Sequence, residues 1–172
     1  LRFGSKIGTQ YANALCELAI GISSHLQGRW KNTVDACDRA SQGFKDVLDA
    51  NWERTTAQLF ATWALLFHGD MNSMGKRFPP GYELAVSRQD VFAQLNYGTR
   101  VQAVLRLAEG RPEKALQALE SFAPVLGKAD FPLQAHNALL GRIQVELSRG
   151  NAGHAWALIR RSWTSYHRSG LH

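Results

Sequence analysis

Cysteine is nearly absent from this 172-residue chain: there are two, Cys16 and Cys37, each inside an amphipathic stretch and neither in a Cys-x-x-Cys pair. That spacing excludes a disulfide framework or a thiolate metal site, and both thiols read as buried and reduced. Long apolar runs are missing as well. The longest uncharged one, Thr55 to Phe67, has 13 residues and as a helix spans about 20 Å, too little to cross a bilayer. It reads as a buried helix, and no membrane partner is expected. No charged leader precedes an apolar segment, there is no Asn-x-Ser/Thr acceptor, and the chain begins at Leu1. The expectation is an excised piece of a longer cytoplasmic protein. Alternating apolar and polar residues between turn signals are also lacking, which argues against a sheet.

Catalytic signatures are equally scarce. The segment Gly69-Asp70-Met71-Asn72-Ser73-Met74-Gly75-Lys76-Arg77 comes nearest to a phosphate-binding loop. It departs from one in three ways: five residues separate the glycines, Arg77 stands where Ser or Thr is needed to hold magnesium, and a helix precedes it. Gly-x-Gly-x-x-Gly, His-Arg-Asp, Asp-Phe-Gly and Gly-x-Ser-x-Gly do not occur. The histidines at 25, 68, 136, 154, 167 and 172 show no four-residue spacing and have no neighbouring cysteine set. The reading is a non-enzymatic chain with no catalytic residues, no cofactor and no metal.

What the chain does have is period. Gly28, Gly69, Gly110 and Gly150 each follow an apolar stretch and precede a second amphipathic one, at intervals of 41, 41 and 40 residues. A spacing of this kind marks repeated helical hairpins, none of which can bury its apolar face alone. Nine residues after each glycine come Cys37, Phe78, Leu119 and Ile159, and three before it come His25, Leu66, Leu107 and Leu147. Only His25 breaks the apolar pattern. Five residues after the glycine, the last two repeats carry Ala115 and Ala155, small enough for the helices of a hairpin to approach closely, where the first two carry Thr33 and Met74.

Helical periodicity divides the chain into segments. The first runs from Phe3 to Gln27, with Gly28 as a left-handed C-cap. The second runs from Trp30 to Ala50, and the third, capped by Asn51 and the most apolar of all, ends at His68 and should be central. Asp70 caps a fourth that Pro79-Pro80 is expected to split into Met71 to Arg77 and Pro79 to Ser87. Asp90 opens a fifth through Ala108, Pro112 stands in the first turn of a sixth reaching Leu126, Phe131-Pro132 starts a seventh ending at Ser148, and Asn151 caps an eighth from Ala152 to His167. The fold class is all-α: one α-solenoid of four hairpins, with repeats over 3–50, 52–88, 90–127 and 131–168. Trp63 and Trp156 fall on apolar stripes and read as core, whereas Trp30 and Trp52, at helix starts, read as staples between hairpins.

Net charge is +6 and unevenly spread. From Asp35 to Glu53 five acids face two bases, and from Arg142 to His172 five arginines face Glu146 alone. The basic end lacks the closely interleaved aromatics and the reading motifs of nucleic-acid binders, so no nucleic-acid partner is expected. The asymmetry suits a solvated face or the steering of one end of the array against another domain.

Two likenesses follow from these residues. The Gly-x-x-x-x-Ala arrangement resembles the turn between helices of tetratricopeptide repeats, although those repeat about every 34 residues and these hairpins are longer. The strings Leu26-Gln27-Gly28-Arg29-Trp30, Trp52-Glu53-Arg54, Leu59-Phe60-Ala61-Thr62-Trp63-Ala64-Leu65, and Ala155-Trp156 with Trp163 resemble the helical C-terminal regions of large bacterial multidomain serine/threonine kinases that also carry an ATPase module. That resemblance implies a regulatory or scaffolding appendage and transfers no catalytic residue. On a tetratricopeptide-like array the first helix of each hairpin lines the concave side. Tyr97, Arg100, Asn137 and Gln144 lie there as candidate binding residues, Arg100 being suited to a carboxylate or phosphate on a peptide. The expected function is protein interaction or scaffolding, with a peptide or another domain as partner. The alternative is a regulatory domain that senses a small molecule in the helical groove.

Overall fold

The computed structural model describes residues 10–126 and 132–168, and among them every regular element is helical. The elements are α1 (Gln10–Leu26), α2 (Trp30–Gly43), α3 (Asn51–His68), α4 (Met71–Ser87) and α5 (Val91–Asn96). A π segment (Tyr97–Gln102) follows, then α6 (Ala103–Ala108), α7 (Pro112–Ser121), the single turn α8 (Ala123–Leu126), α9 (Pro132–Ser148) and α10 (Ala152–Arg168). The beginning of the first predicted helix and the Phe131 start of the seventh lie outside the described residues. None of the described helices is long and apolar enough to cross a membrane.

The four periodic glycines do the same local work. Their φ angles are 71°, 81°, 70° and 77°, the left-handed region that a side chain adopts only at a cost. Each glycine amide donates to the carbonyl three residues back, and the next amide donates five residues back. The longer bonds are Arg29 to Ser24 at 2.9 Å, Asp70 to Leu65 at 3.0 Å, Arg111 to Arg106 at 2.8 Å and Asn151 to Glu146 at 2.9 Å. This is the Schellman closure, which satisfies the orphan carbonyls of a helix end while turning the chain. Five residues beyond each glycine, Thr33, Met74, Ala115 and Ala155 are all buried. Asp70 and Asp90 cap as expected, accepting from Ser73 and Ala93 at 2.9 Å.

The chain divides into two compact units, the first ending at Leu84 and the second starting at Ala85. In the first, α2 packs on α1, and α3 packs on both. Ala14, Leu18, Cys37, Ala40, Phe44, Ala57 and Ala61 form its core. Trp30 stacks on Phe67 at 4.9 Å, with His25 edge-on to both rings, so this tryptophan does staple one hairpin to the next. In the second unit, α7 packs on α6 and on the π segment, α9 packs on α7 and along the whole α5, π and α6 stretch, and α10 packs on α9. Ala103, Ala115, Leu119 and Val145 form the core there.

Several sequence expectations are corrected. Pro79 and Pro80 do not split the fourth helix, which is continuous over Met71–Ser87. Contacts on both sides of the prolines supply what the missing amides lose: Met74 is fully buried, Phe78 stacks on Tyr82 at 5.5 Å, and the Arg77 guanidinium donates both nitrogens to Asp38 at 2.7 and 2.5 Å. Asn51 is the first residue of α3 rather than its cap, the capping position being Ala50, buried at 2% exposure. The second helix stops at Gly43 because Phe44 turns into the core. The sixth breaks at Phe122, another core side chain. Cys16 is exposed rather than buried, whereas Cys37 is enclosed and burial pushes its thiol up to about 12. Trp156 is exposed, not core, and Trp52 is exposed and staples nothing among the described residues.

Because Ala115 sits with no exposed surface where α7 meets its neighbours, Ala115→Phe overpacks the hairpin and is expected to cost about 1–3 kcal/mol. Ala157, exposed on α10, serves as the control, its replacement by Phe staying within about 0.5 kcal/mol. Urea unfolding of the two variants reads the difference, and equal midpoints would refute the close approach of the helices.

Candidate functional site

A polar seam runs inside the second unit, where a helical core is ordinarily apolar. Its first side is α5 and the π segment. Asn96 Nδ2 donates to the Phe92 carbonyl at 2.8 Å and Thr99 Oγ1 to the Leu95 carbonyl at 2.6 Å, so side chains compete with the amides for the ladder. The backbone responds by widening to a π segment, a feature that recurs at functional sites. The widening also absorbs one residue: Asn96 lies 14 positions before its turn glycine, Gly110, and Asn137 only 13 before Gly150.

The second side is α9. Gly141 lets it come close, since a Cβ there would lie 2.8 Å from the Thr99 carbonyl oxygen. That approach sets Asn137 Nδ2 against Asn96 Oδ1 at 3.4 Å, while Asn137 Oδ1 accepts from Arg100 Nη1 at 3.1 Å. Asn96 and Asn137 are fully enclosed, and Gln134, one turn before Asn137, is only 2% exposed. Arg100 is half-buried, and desolvation holds its guanidinium below the ordinary arginine value. His136 stacks on Tyr166 of α10 at 4.8 Å, and burial, followed by the charge of Arg100, keeps its pKa below 6.5. Gln134 Nε2 and His136 Nδ1 have no hydrogen-bond partner among the described residues.

The candidates named from sequence are thus placed differently. Arg100 and Asn137 are brought into direct contact. Tyr97 is buried at 2% exposure, one turn before Arg100, and Gln144 is exposed on α9. Sequence reasoning missed Asn96, Gln134 and His136 as members of the seam. A signal for the first was present, because Asn96 and Asn137 are 41 residues apart, one more than the 40 between Gly110 and Gly150. Chemically, the half-buried Arg100 guanidinium is the group of this seam suited to an oxyanion such as a carboxylate or phosphate, while Asn96 and Asn137 are enclosed and bonded to one another. No group of three His, Cys, Asp or Glu side chains that could hold a metal occurs among the described residues.

Removing the carboxamide in Asn137→Ala takes one hydrogen-bond partner each from Arg100 and Asn96 and is expected to lower stability by about 1–3 kcal/mol, against about 0.5 kcal/mol or less for Gln144→Ala. Matching losses for the two variants in urea unfolding would count against the seam. His136 adds a pH dependence. Its folded pKa lies below 6.5, so on acidification the unfolded chain takes the proton first and stability falls from pH 6.5 downward. His136→Phe should flatten that part of a melting temperature against pH curve, and an unchanged slope would remove His136 as its source.

No family model, curated protein or solved structure matches the chain.

Proposed function

We propose that the chain is a non-catalytic protein-interaction or scaffolding module, built as a tetratricopeptide-like array of helical hairpins that binds a peptide or a partner domain. The observation that carries this reading is the fourfold recurrence of one turn, with the same pair of hydrogen bonds, the same left-handed glycine and a buried residue five positions on. Packing supports it: in each unit a first helix, its hairpin mate and the next first helix touch one another. The clefts beside α1 and on α10 are lined mainly by exposed side chains, which suits capture of a chain segment better than enclosure of a small molecule. Arg100 is the residue assigned to an acidic or phosphorylated group on that segment. A signalling protein is the proposed setting, on the resemblance of the tryptophan and glycine strings to kinase-linked helical regions.

Small-molecule sensing is the second reading, supported by the buried Gln134 amide that has no partner among the described residues. Binding measurements separate the two. The purified chain is titrated with a panel of acidic and phosphorylated peptides and with inorganic phosphate. Saturable peptide binding that Arg100→Gln weakens about tenfold or more is the expected result. Stabilisation by phosphate with no peptide bound would overturn the interaction reading in favour of sensing.

A further inference from the structure

Helix α10 has two apolar stripes and uses one of them inside its unit. Ala155 and Leu158 are buried, and Tyr166 stacks on His136 of α9. The neighbouring stripe, Trp156, Ile159, Arg160 and Trp163, lines a surface recess of about 490 Å³. These residues stand at i, i+3, i+4 and i+7 and so share a face, yet Trp156 and Trp163 are 60% and 58% exposed. The helix carries Arg160, Arg161 and Arg168 with two histidines and no acid. Neither Arg160 nor Arg161 has an ion-pair partner among the described residues. An aromatic recess bordered by the unpaired guanidinium of Arg160 calls for an apolar knob flanked by carboxylates.

The first unit presents such a knob. Phe44 and Ala50, 1% and 2% exposed, anchor the two ends of the turn after α2. Between these anchors Leu48 is 91% exposed, more than any other large apolar side chain described. Asp46 and Asp49 bracket it, both exposed and without an ion pair among the described residues. Knob and recess match in polarity, and the rims match in charge.

We propose that the Leu48 knob of one copy of this chain docks into the Trp156 to Trp163 recess of a second copy, with Asp46 and Asp49 set against Arg160. Charge selects this pairing over a two-fold contact of α10 with α10, which would bring arginine against arginine with no acid on either helix. Knob and recess are different surfaces, so copies pair either reciprocally as a closed dimer or head to tail as a longer assembly. The Arg100 seam takes no part, so a failure here leaves the proposed function standing.

Sedimentation velocity of the full chain over a concentration series tests the proposal. The weight-average sedimentation coefficient is expected to rise with concentration and to fall when salt is added. Arg160→Asp and Asp46→Arg, each checked by circular dichroism for unchanged helicity, should each weaken association about tenfold or more. An equimolar mixture of these two variants should recover association, because the reversed knob then meets the reversed recess and the unaltered knob meets the unaltered recess. A wild-type chain that stays monomeric throughout, variants that associate as the wild type does, or a mixture that stays monomeric would each overturn the proposal. So would a monomeric wild type whose recess takes up an acidic amphipathic peptide instead.

Discussion

The left-handed glycine turn is the constraint on which the rest of this structure depends. A helix end leaves carbonyls without amides, and the turn at Gly28, Gly69, Gly110 or Gly150 supplies two of the missing donors. The same two bonds fix the direction in which the next helix departs. The residue five positions later therefore lands each time against the preceding helix, and Thr33, Met74, Ala115 and Ala155 are all enclosed there. Hairpin geometry is thus set by a local bond pattern, and the core is assembled from what that pattern brings together.

A core built this way tolerates polar groups only where they satisfy one another, because an unpaired polar group out of water costs about 1–3 kcal/mol. Asn96, Asn137 and Arg100 meet that condition in one chain of hydrogen bonds, whereas the buried Gln134 Nε2 has no partner among the described residues. The arrangement includes the π segment, which absorbs the extra residue on one side, and Gly141, which lets the backbones approach on the other. The histidine beside it is harder to protonate because burial and the neighbouring guanidinium both disfavour its charge. A guanidinium held this way is pre-oriented for an anion, which is why the binding reading centres on Arg100.

The surface shows the complementary situation. Two tryptophans on α10 and Leu48 on the turn after α2 remain in water although their partners nearby, Ala155 and Leu158 in one case and Phe44 in the other, are enclosed. The proposed pairing assigns these groups to one contact between copies. Opposite charges stand beside them, Asp46 and Asp49 at one and Arg160 at the other.

By itself the sequence determined the helical class, the four turns, the caps at Asp70 and Asp90 and the close packing at Ala115 and Ala155, because all of these rest on hydrogen bonds and spacing within a few residues of one another. It also named Arg100 and Asn137, without their contact. Tertiary structure decided the rest. Prolines 79 and 80 lie inside a continuous helix, whose Arg77 pairs with Asp38 of another helix. A turn with the same two bonds forms at Gln89, with φ of 54° and no glycine to announce it. Trp156 and Trp63 both fall on apolar stripes, yet one is exposed and the other half-buried. Periodicity reports that a stripe exists on a helix. Only the arrangement of the other helices says whether anything packs against it.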